Sequence, residues 1–384
     1  MKIIDIRTII IEPRWLFVKI STDEGIVGWG EALGDKAETI ATAIKELGKY
    51  LIGKDPRQIE HHWQAMYRGA FWRGGPILNA AISGVEIALW DILGKSLNVP
   101  VWQLLGGKCR DKVRVYINIG SGEESENERV WLKYGYSKGW MEMIEGEKIN
   151  AIKFCPFGPV KQVESWENIK KAVKTVKEMR EKLGDGVDLL IECHGRLSPS
   201  MAVLFCEEIA SYHPFFVEEP CLPENIDALA SIVEKTKVPI ATGERIFTKF
   251  GFTQLLEKAK VAVIQPDVGI CGGIMEGKKI SAMAEAHYIG VAPHSPYGPI
   301  LAAASLQLDT CIPNFIIQEY CSFGEGVFGE GILKKPFKAK DGYMEIPIGP
   351  GLGIEVDEKE LEKRPYQSKD GPRLYHEDGS VADW

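Results

Sequence analysis

The sequence lacks the features that mark several common classes of protein. No stretch approaches 18 consecutive apolar residues, so we expect no membrane span. Acidic residues outnumber basic ones by 54 to 46, and the resulting net charge of −8 disfavours a general nucleic-acid binder. The eight cysteines show no CxxC or zinc-site spacing, and the start of the chain is unlike a signal peptide. These absences predict a cytoplasmic protein with reduced thiols, without membrane or nucleic-acid partners.

What the sequence does contain is a series of apolar, strand-like runs that each end in a polar residue. The intervals between these residues are 23 to 27 positions, which is about one strand, loop and helix. Parallel strands that are buried on both faces read as apolar runs, and the carboxyl ends of barrel strands carry the chemistry of such folds. The six polar residues are Glu192, Glu218, Glu244, Asp267, His294 and Glu319.

The first three of these residues predict a metal site. A glutamate at a strand end is, taken singly, more often an ion-pairing or capping group than a ligand. Three carboxylates at one barrel mouth repel each other and remain ionised only beside a cation, unless they share protons. Oxygen ligands suit a hard divalent ion, so Glu192, Glu218 and Glu244 are predicted to bind Mg²⁺.

Two histidines are candidates for acid–base chemistry. His294 follows the strand next to that of Asp267, so the carboxylate can orient the imidazole and raise its basicity. A His/Asp pair beside Mg²⁺ suits removal of a proton α to a carboxylate. His194 lies two residues after Glu192, and strand alternation would point both side chains to one side. It would suit a general acid, although either histidine could instead be a hydrogen-bonded structural residue.

Other charged residues have open roles. Lys153 ends the second predicted barrel strand and could be a base, a carboxylate anchor or an ion-pair partner. Glu319, Arg196 and Arg245 are candidate substrate or supporting contacts, and each could equally be structural.

The patterning divides the chain into a capping lobe, a barrel and a tail. Residues 2–11 and 15–31 read as an antiparallel meander, and residues 78–95 as a buried helix. We therefore predict an α+β capping domain over 1–110 and a (β/α)8-type, modified TIM barrel over 111–340. The tail, 341–384, should pack back on the capping domain. Residues 120–148 read as an insertion, and the GxGxxG at 324–329 lacks the helix of a dinucleotide site.

Taken together, the motifs resemble the mandelate-racemase-like branch of the enolase superfamily over nearly the whole chain, and within it the D-galactonate and D-gluconate dehydratases. The motifs that carry the resemblance are Trp72-Arg73-Gly74-Gly75-Pro76, Cys193-His194-Gly195-Arg196, Val217-Glu218-Glu219-Pro220, Thr242-Gly243-Glu244-Arg245, Gln265-Pro266-Asp267, Ala292-Pro293-His294, Gln318-Glu319, His376-Glu377-Asp378 and Val381-Ala382-Asp383-Trp384.

The resemblance implies roles for individual residues. It implies Mg²⁺ on the three glutamates, His294 with Asp267 as the base, and His194 as the acid, with Glu319 near the substrate carboxylate. Specificity loops would fall near Arg14-Trp15 and over 67–75, which makes Trp15 and Arg73 candidate substrate contacts.

Two departures from the family pattern bear on these roles. The first ligand is often Asp in this branch and is Glu192 here, which shifts the carboxylate. The racemases carry Lys-x-Lys at the second strand, where this chain has Lys153-Phe154-Cys155, so the second base of a racemase is missing.

The expected function is Mg²⁺-dependent dehydration of a hexonate, such as D-galactonate or D-gluconate, to a 2-keto-3-deoxy acid. The alternatives are a racemase, epimerase or cycloisomerase of the same superfamily, and a barrel that binds sugar acids without turnover. Which hydroxyl stereochemistry is accepted stays open at this stage. The family resemblance further implies a homo-oligomer.

Overall fold

The computed structural model describes residues 1–69, 71–120, 140–320, 329, 331–368 and 373–383. The N-terminal lobe begins with three strands, β1 (Ile3–Ile11), β2 (Trp15–Thr22) and β3 (Val27–Ala32), paired antiparallel in that order. Helices α1 (Ala37–Leu51), α2 (Ile59–Arg68), α3 (Pro76–Leu97) and α4 (Val101–Leu104) follow. The meander and the buried helix predicted from the sequence are confirmed.

Helix α3 is the core of this lobe because the sheet packs directly onto its backbone. Gly28 and Gly30 of β3 lie against backbone oxygens of Ala88 and Gly84, and a Cβ at either glycine would collide with them. By length and composition α3 could also cross a membrane, but 83% of its most apolar window is buried inside the protein. A helix that is apolar all round is typical of a protein core as well as of a membrane.

A closed barrel of eight parallel strands forms the second part of the fold. The strands are β4 (Lys112–Asn118), β5 (Ala151–Phe154), β6 (Asp188–Glu192), β7 (Phe216–Glu218), β8 (Ile240–Thr242), β9 (Val263–Ile264), β10 (Gly290–Val291) and β11 (Gln318–Tyr320). They pair in the order β10-β9-β8-β7-β6-β5-β4-β11, and a parallel bridge between Val291 and Phe315 joins the two ends. The predicted (β/α)8-type barrel with a capping lobe is confirmed.

Helices connect successive strands around the outside of the barrel. They are α5 (Trp140–Glu147), α6 (Trp166–Leu183), α7 (Pro199–Ile209), α8 (Ile226–Lys235), α9 (Thr248–Gln254, continued as a π-helical turn over Leu255–Ala259), α10 (Ile274–Ala286) and α11 (Pro299–Cys311). Ser165, Ser198 and Asn225 cap the N-termini of α6, α7 and α8 with their own side chains.

A layer of eight buried side chains fills the barrel interior, one from each strand or the residue beside it. These are Tyr116, Ala151, Leu190, Phe216, Ala241, Val263, Ala292 and Ile317, and they form a cluster separate from the main hydrophobic core. A filled interior closes the barrel at this level, so ligands can reach only its mouth.

After the barrel, the tail contacts both parts of the molecule. β12 (Tyr343–Glu345) pairs antiparallel with β4, whereas Pro365 and Gly351 form bridges with Ile11 and Pro100 of the N-terminal lobe. A helical turn, α12 (Glu358–Leu361), and a hairpin of β13 (Leu374–Tyr375) and β14 (Val381–Ala382) complete it. The domain boundaries at 110 and 340 remain predictions. Most of the 120–148 insertion and the 324–329 glycine motif lie outside the described residues.

Candidate active site

Strand alternation places the polar residues of the barrel mouth directly above the filled interior. Residues two apart in a strand face the same side. Tyr116, Ala151, Leu190, Phe216 and Ile317 of the interior layer are each followed two positions later by a polar residue. Those residues are Asn118, Lys153, Glu192, Glu218 and Glu319. The same apolar alternation that fills the barrel therefore also points these groups into its mouth.

The three predicted ligands lie together. Carboxylate oxygens of Glu192, Glu218 and Glu244 are all within 4.8 Å of one another. One oxygen of Glu192 and one of Glu218 are buried without a hydrogen-bond partner among the described residues. Burial and the charge of Glu192 raise the pKa of Glu218 to about 7, and burial raises the pKa of Glu244 well above its usual value. The cluster is therefore unfavourable for three anions by themselves.

A divalent cation fits this cluster. The donors are all carboxylate oxygens, which hard cations prefer, and their unpartnered oxygens offer lone pairs that no protein donor in the described chain uses. A cation there would offset the repulsion that raises the pKa of Glu218.

Lys153 lies beneath the acids. Its Nζ is 2.9 Å from Glu218 Oε1, 3.3 Å from Glu319 Oε1 and 3.6 Å from Glu192 Oε2. Burial acts to lower its pKa, but the charges of Glu218 and Glu319 outweigh burial and raise the pKa well above normal. A lysine held so firmly as a cation is unsuited to act as a base, and of the three roles left open by the sequence the structure favours ion pairing and anion anchoring.

His294 and Asp267 form a buried pair. His294 Nδ1 lies 2.7 Å from Asp267 Oδ2, and Nε2 lies 3.3 Å from Glu244 Oε2 and 4.0 Å from Glu319 Oε2. Burial alone would lower the histidine pKa, but the charge of Glu244 and the Asp267 hydrogen bond raise it to about 10. The Asp267 contact fixes Nδ1 as the donor and turns Nε2 toward the cavity.

His194 reaches the same cavity by a route that alternation does not explain. β6 ends at Glu192, and His194 has a left-handed backbone with φ of 50°. Its backbone N–H donates to Glu192 Oε1 at 2.6 Å, which fixes the turn that carries the imidazole. Burial, followed by the charges of Arg196 and Lys153, lowers its pKa to about 3. Glu192 and His194 therefore line the same cavity, as the sequence predicted, but a turn rather than a continued strand places His194 there.

A cavity of about 990 Å³ opens between the barrel mouth and the N-terminal lobe. Trp15 and Arg14 of the lobe line it together with the barrel residues, and the Arg14 guanidinium lies 5.4 Å from the ring centre of Tyr297. Glu319 also lines it; burial acts to raise its pKa, but Lys153 and His294 lower the pKa below the usual value.

Two of the predicted contact residues do not line this cavity. Arg196 donates from Nη1 to the backbone oxygen of Phe157 and is not part of the cavity lining. Arg73 is exposed, as are its neighbours Phe71 and Trp72, and of the described residues 71–76 only Pro76 lines the cavity. Arg245 does line the cavity, and its guanidinium also pairs with buried Glu219. The roles of all three arginines remain predictions.

Sequence reasoning missed several cavity residues. Asn118 donates to Glu319 at 3.4 Å, and its position two residues after the inward-facing Tyr116 could have identified it. Tyr297, Glu224 and Gln254 lie on loops and helix ends, where no periodic pattern marks the direction of a side chain.

The chain is similar to known protein families and to known enzymes over its whole length. Residues 6–106 match the N-terminal domain of the mandelate racemase / muconate lactonizing enzyme family, and residues 137–360 match the enolase C-terminal domain-like family. The chain is 41% identical to a D-galactonate dehydratase of Cronobacter sakazakii and 40% identical to one of Klebsiella pneumoniae, each over 100% of both chains.

Solved structures are similar over nearly the whole length. A protein from Mesorhizobium loti, proposed to be a dehydratase, is 38% identical with a TM-score of 0.84 over 96% of this chain and 99% of its own. An enolase from Agrobacterium radiobacter, solved with Na and L-malate bound, is 30% identical with a TM-score of 0.90 over 100% of both chains.

Proposed function

The chain belongs to the mandelate racemase / muconate lactonizing enzyme family of the enolase superfamily and is a hydro-lyase, and we propose that it dehydrates a hexonate. The substrate would be D-galactonate or D-gluconate, and the product a 2-keto-3-deoxy acid. The observation that carries this proposal is a cluster of three carboxylates, two of which, Glu192 and Glu244, line the same cavity as His194 and His294.

Enzymes of this superfamily bind a divalent metal, and we propose that Mg²⁺ is held here by Glu192, Glu218 and Glu244. When bound, the cation would stabilise the negative charge that develops on the substrate carboxylate as its α-proton leaves. The all-oxygen donor set supports Mg²⁺ over softer metals.

Proton removal is assigned to His294. Its Nδ1 is bound to Asp267 at 2.7 Å, so Nε2 is the atom available to take the C2 proton. The surrounding carboxylates hold its pKa near 10 in the protein alone, so it serves as a base only when part of the Glu244 charge is compensated. Lys153 supports the step as a fixed positive charge toward the substrate carboxylate, beside Glu319.

Departure of the C3 hydroxyl is assigned to His194. Hydroxide is a poor leaving group at neutral pH, so an acid must protonate it. His194 is neutral in the protein alone because its burial and nearby cations lower its pKa to about 3. The anionic substrate adds negative charge to this environment and favours the protonated imidazole that the step requires.

A screen of aldonic acids for 2-keto acid formation, with and without Mg²⁺, tests the proposal. We expect turnover of one or a few hexonates, abolished by a chelator and restored by Mg²⁺. Racemisation or epimerisation without 2-keto acid would contradict dehydration, and so would binding of these acids without turnover. We further propose that the enzyme is a cytoplasmic homo-oligomer.

A further inference from the structure

Helices α10 and α11 have no capping side chain of their own at their N-termini. α10 follows the strand of Asp267 and α11 the strand of His294, and each has a glycine at its N-cap, Gly273 and Gly298. The first N–H groups of a helix have no partner within the helix, so a buried N-terminus needs acceptors from elsewhere. Glycine cannot supply one.

Buried glutamates of the N-terminal lobe supply these acceptors. Glu31 of β3 accepts hydrogen bonds from the N–H groups of Gly298 at 2.6 Å and Leu301 at 2.9 Å. Glu86 of α3 accepts from Ile274 at 2.8 Å and Met275 at 2.9 Å. Both glutamates are completely buried.

The two N-cap glycines leave the space that these carboxylates occupy. A Cβ on Gly298 would collide with the carboxylate of Glu31, and one on Gly273 would collide with that of Glu86. Gly273 also has φ of 96°, which side chains rarely adopt. The two helix starts therefore fit a carboxylate from the other lobe in the same way.

Each of these helix starts lies only a few residues along the chain from His294 or Asp267. Gly298 is four residues after His294, and the intervening Tyr297 lines the cavity. Asp267 precedes Gly273 by six residues, in a turn closed by Gly269 N–H on Asp267 Oδ1 at 2.7 Å. The lobe holds the far end of that turn as well, since Ser83 Oγ accepts from Gly272 N–H at 3.0 Å.

We propose that Glu31 and Glu86 are positioning residues that set the geometry of the His294–Asp267 pair from the N-terminal lobe. The barrel mouth is then competent for proton removal only while the lobe is docked on these two helix starts. The inference rests on the proposed function for its kinetic consequences, but not for the geometry itself. Displacement of a reacting group by about 1 Å can cost about 10²-fold in rate.

The test uses Glu31→Gln and Glu86→Gln in the full-length, Mg²⁺-loaded protein. The glutamine side chain keeps one acceptor oxygen but places its NH2 group against the other backbone N–H. Two donors then face each other, so the first turn of the helix must shift. The matched control is Asp91→Asn. Asp91 is also a buried acid of α3 that accepts two backbone N–H groups, from Trp29 at 2.8 Å and Leu352 at 2.9 Å, but neither belongs to a cavity loop.

The first readout is the downfield proton NMR resonance of the His294 Nδ1–H bonded to Asp267, assigned by its loss in His294→Asn. We expect it to shift or broaden in both glutamine variants and to stay unchanged in Asp91→Asn. The second is exchange of the C2 hydrogen of the aldonate in D2O. We expect kcat for exchange to fall by about 10- to 100-fold in the glutamine variants, with KM near the parental value.

An unchanged resonance and an unchanged kcat in the glutamine variants, with a loss of Tm like that of Asp91→Asn, would overturn the proposal. Glu31 and Glu86 would then only hold the lobe and the barrel together. If Glu31→Gln does not fold, Glu86→Gln decides the same question at the Asp267 end. If the parent turns over no aldonate, the proposed function fails, and the resonance still decides whether the glutamates position the pair.

Discussion

At the residue scale, the charge balance of the mouth decides the chemistry. In the described chain, Lys153 is the one cation that contacts two of the clustered acids, Glu192 and Glu218, whereas Glu244 lies beside His294. Burial, followed by repulsion from neighbouring glutamates, raises the pKa values of both Glu218 and Glu244. A bound metal cation is therefore expected to stabilise the folded protein as well as to serve the reaction.

The variant Glu218→Gln tests this expectation. It keeps the shape of the side chain and removes one anionic ligand. A ligand at about 100 times its Kd stabilises the native state by about 2.7 kcal/mol, so saturating Mg²⁺ should raise the Tm of the parent. We expect the variant to lose most of this rise, and in chelator to be no less stable than the parent because one repulsive charge is gone.

Scanning calorimetry with and without Mg²⁺ makes this measurement. Glu276→Gln is the control, since Glu276 is also buried but pairs with Lys249 away from the cavity. An equal Mg²⁺ effect on the parent and Glu218→Gln would rule out the site.

Mutation should separate the roles of His194 and His294. His194→Asn should lose most dehydration, by about 10²–10⁴-fold, yet still exchange the C2 hydrogen, because the base at His294 remains. His294→Asn should lose both, since Lys153 is held as a cation and cannot replace it. Proton NMR of hexonate recovered from D2O, beside a keto-acid assay, gives both rates. Rapid exchange by His294→Asn, or parental dehydration by His194→Asn, would show that the roles are wrong.

At the scale of elements, the sequence predicted those parts of the site that depend on strand periodicity. Glu192 and Glu218 end strands whose apolar pattern is visible, so their shared edge could be inferred. His194 follows a strand that stops two residues earlier, and its left-handed φ of 50° leaves no trace in hydrophobic periodicity. For Arg196 the sequence left a substrate contact and a structural role open, and no periodic pattern indicates that its Nη1 donates to the Phe157 carbonyl.

The segment before α3 carries a prediction of its own. Phe71 and Trp72 are 89% and 86% exposed, and Arg73 beside them is exposed too, close to the cavity residue Pro76. Lids that close over a substrate exclude water and complete its contacts. We expect Arg73→Ala to change KM values and the ranking of aldonic acids while leaving Tm unchanged, because an exposed side chain contributes little to stability.

Steady-state kinetics on a panel of aldonic acids, together with thermal denaturation, measures both effects. Arg7→Ala, at an exposed position of β1 away from the cavity, is the control. An identical substrate profile in Arg73→Ala and the parent would count against a role for this segment.

At the scale of the whole molecule, the lobe and the barrel share one hydrophobic core. Buried residues from Ile3 to Leu361 belong to a single cluster, and Trp63 Nε1 of α2 donates to the backbone of Gly272 in the barrel at 2.8 Å. The sequence predicted two parts with different patterns, but it could not predict how they join. Glu31 and Glu86 read as ordinary acids until their distant partners are known.

A shared core implies one cooperative unfolding unit. We expect a single calorimetric transition in which the lobe and the barrel unfold together, and we expect Glu86→Gln to lower its midpoint without splitting it. Two separated transitions, or proteolytic release of an intact barrel below the midpoint, would contradict this expectation.

The pH dependence of stability should reveal a buried acid that has no hydrogen-bond partner in the described chain. Asp309 of α11 is fully buried, and neither carboxyl oxygen has a hydrogen-bond partner in the described part of the chain. Burial, only partly opposed by Arg110, raises its pKa well above the usual value. The folded chain therefore keeps a proton that the unfolded chain releases above about pH 4, so this contribution is complete below that pH and is lost as the pH rises.

The variant Asp309→Asn cannot release this proton. Its Tm relative to the parent should therefore increase from about pH 5 to about pH 8, because only the parent loses stability through this group over that range. Taking the difference at each pH cancels the titration of all other groups that the substitution leaves alone, including those at the barrel mouth. A difference in Tm that stays constant with pH would mean that Asp309 is ionised in the folded protein, and Arg110 would then be the group that compensates its charge.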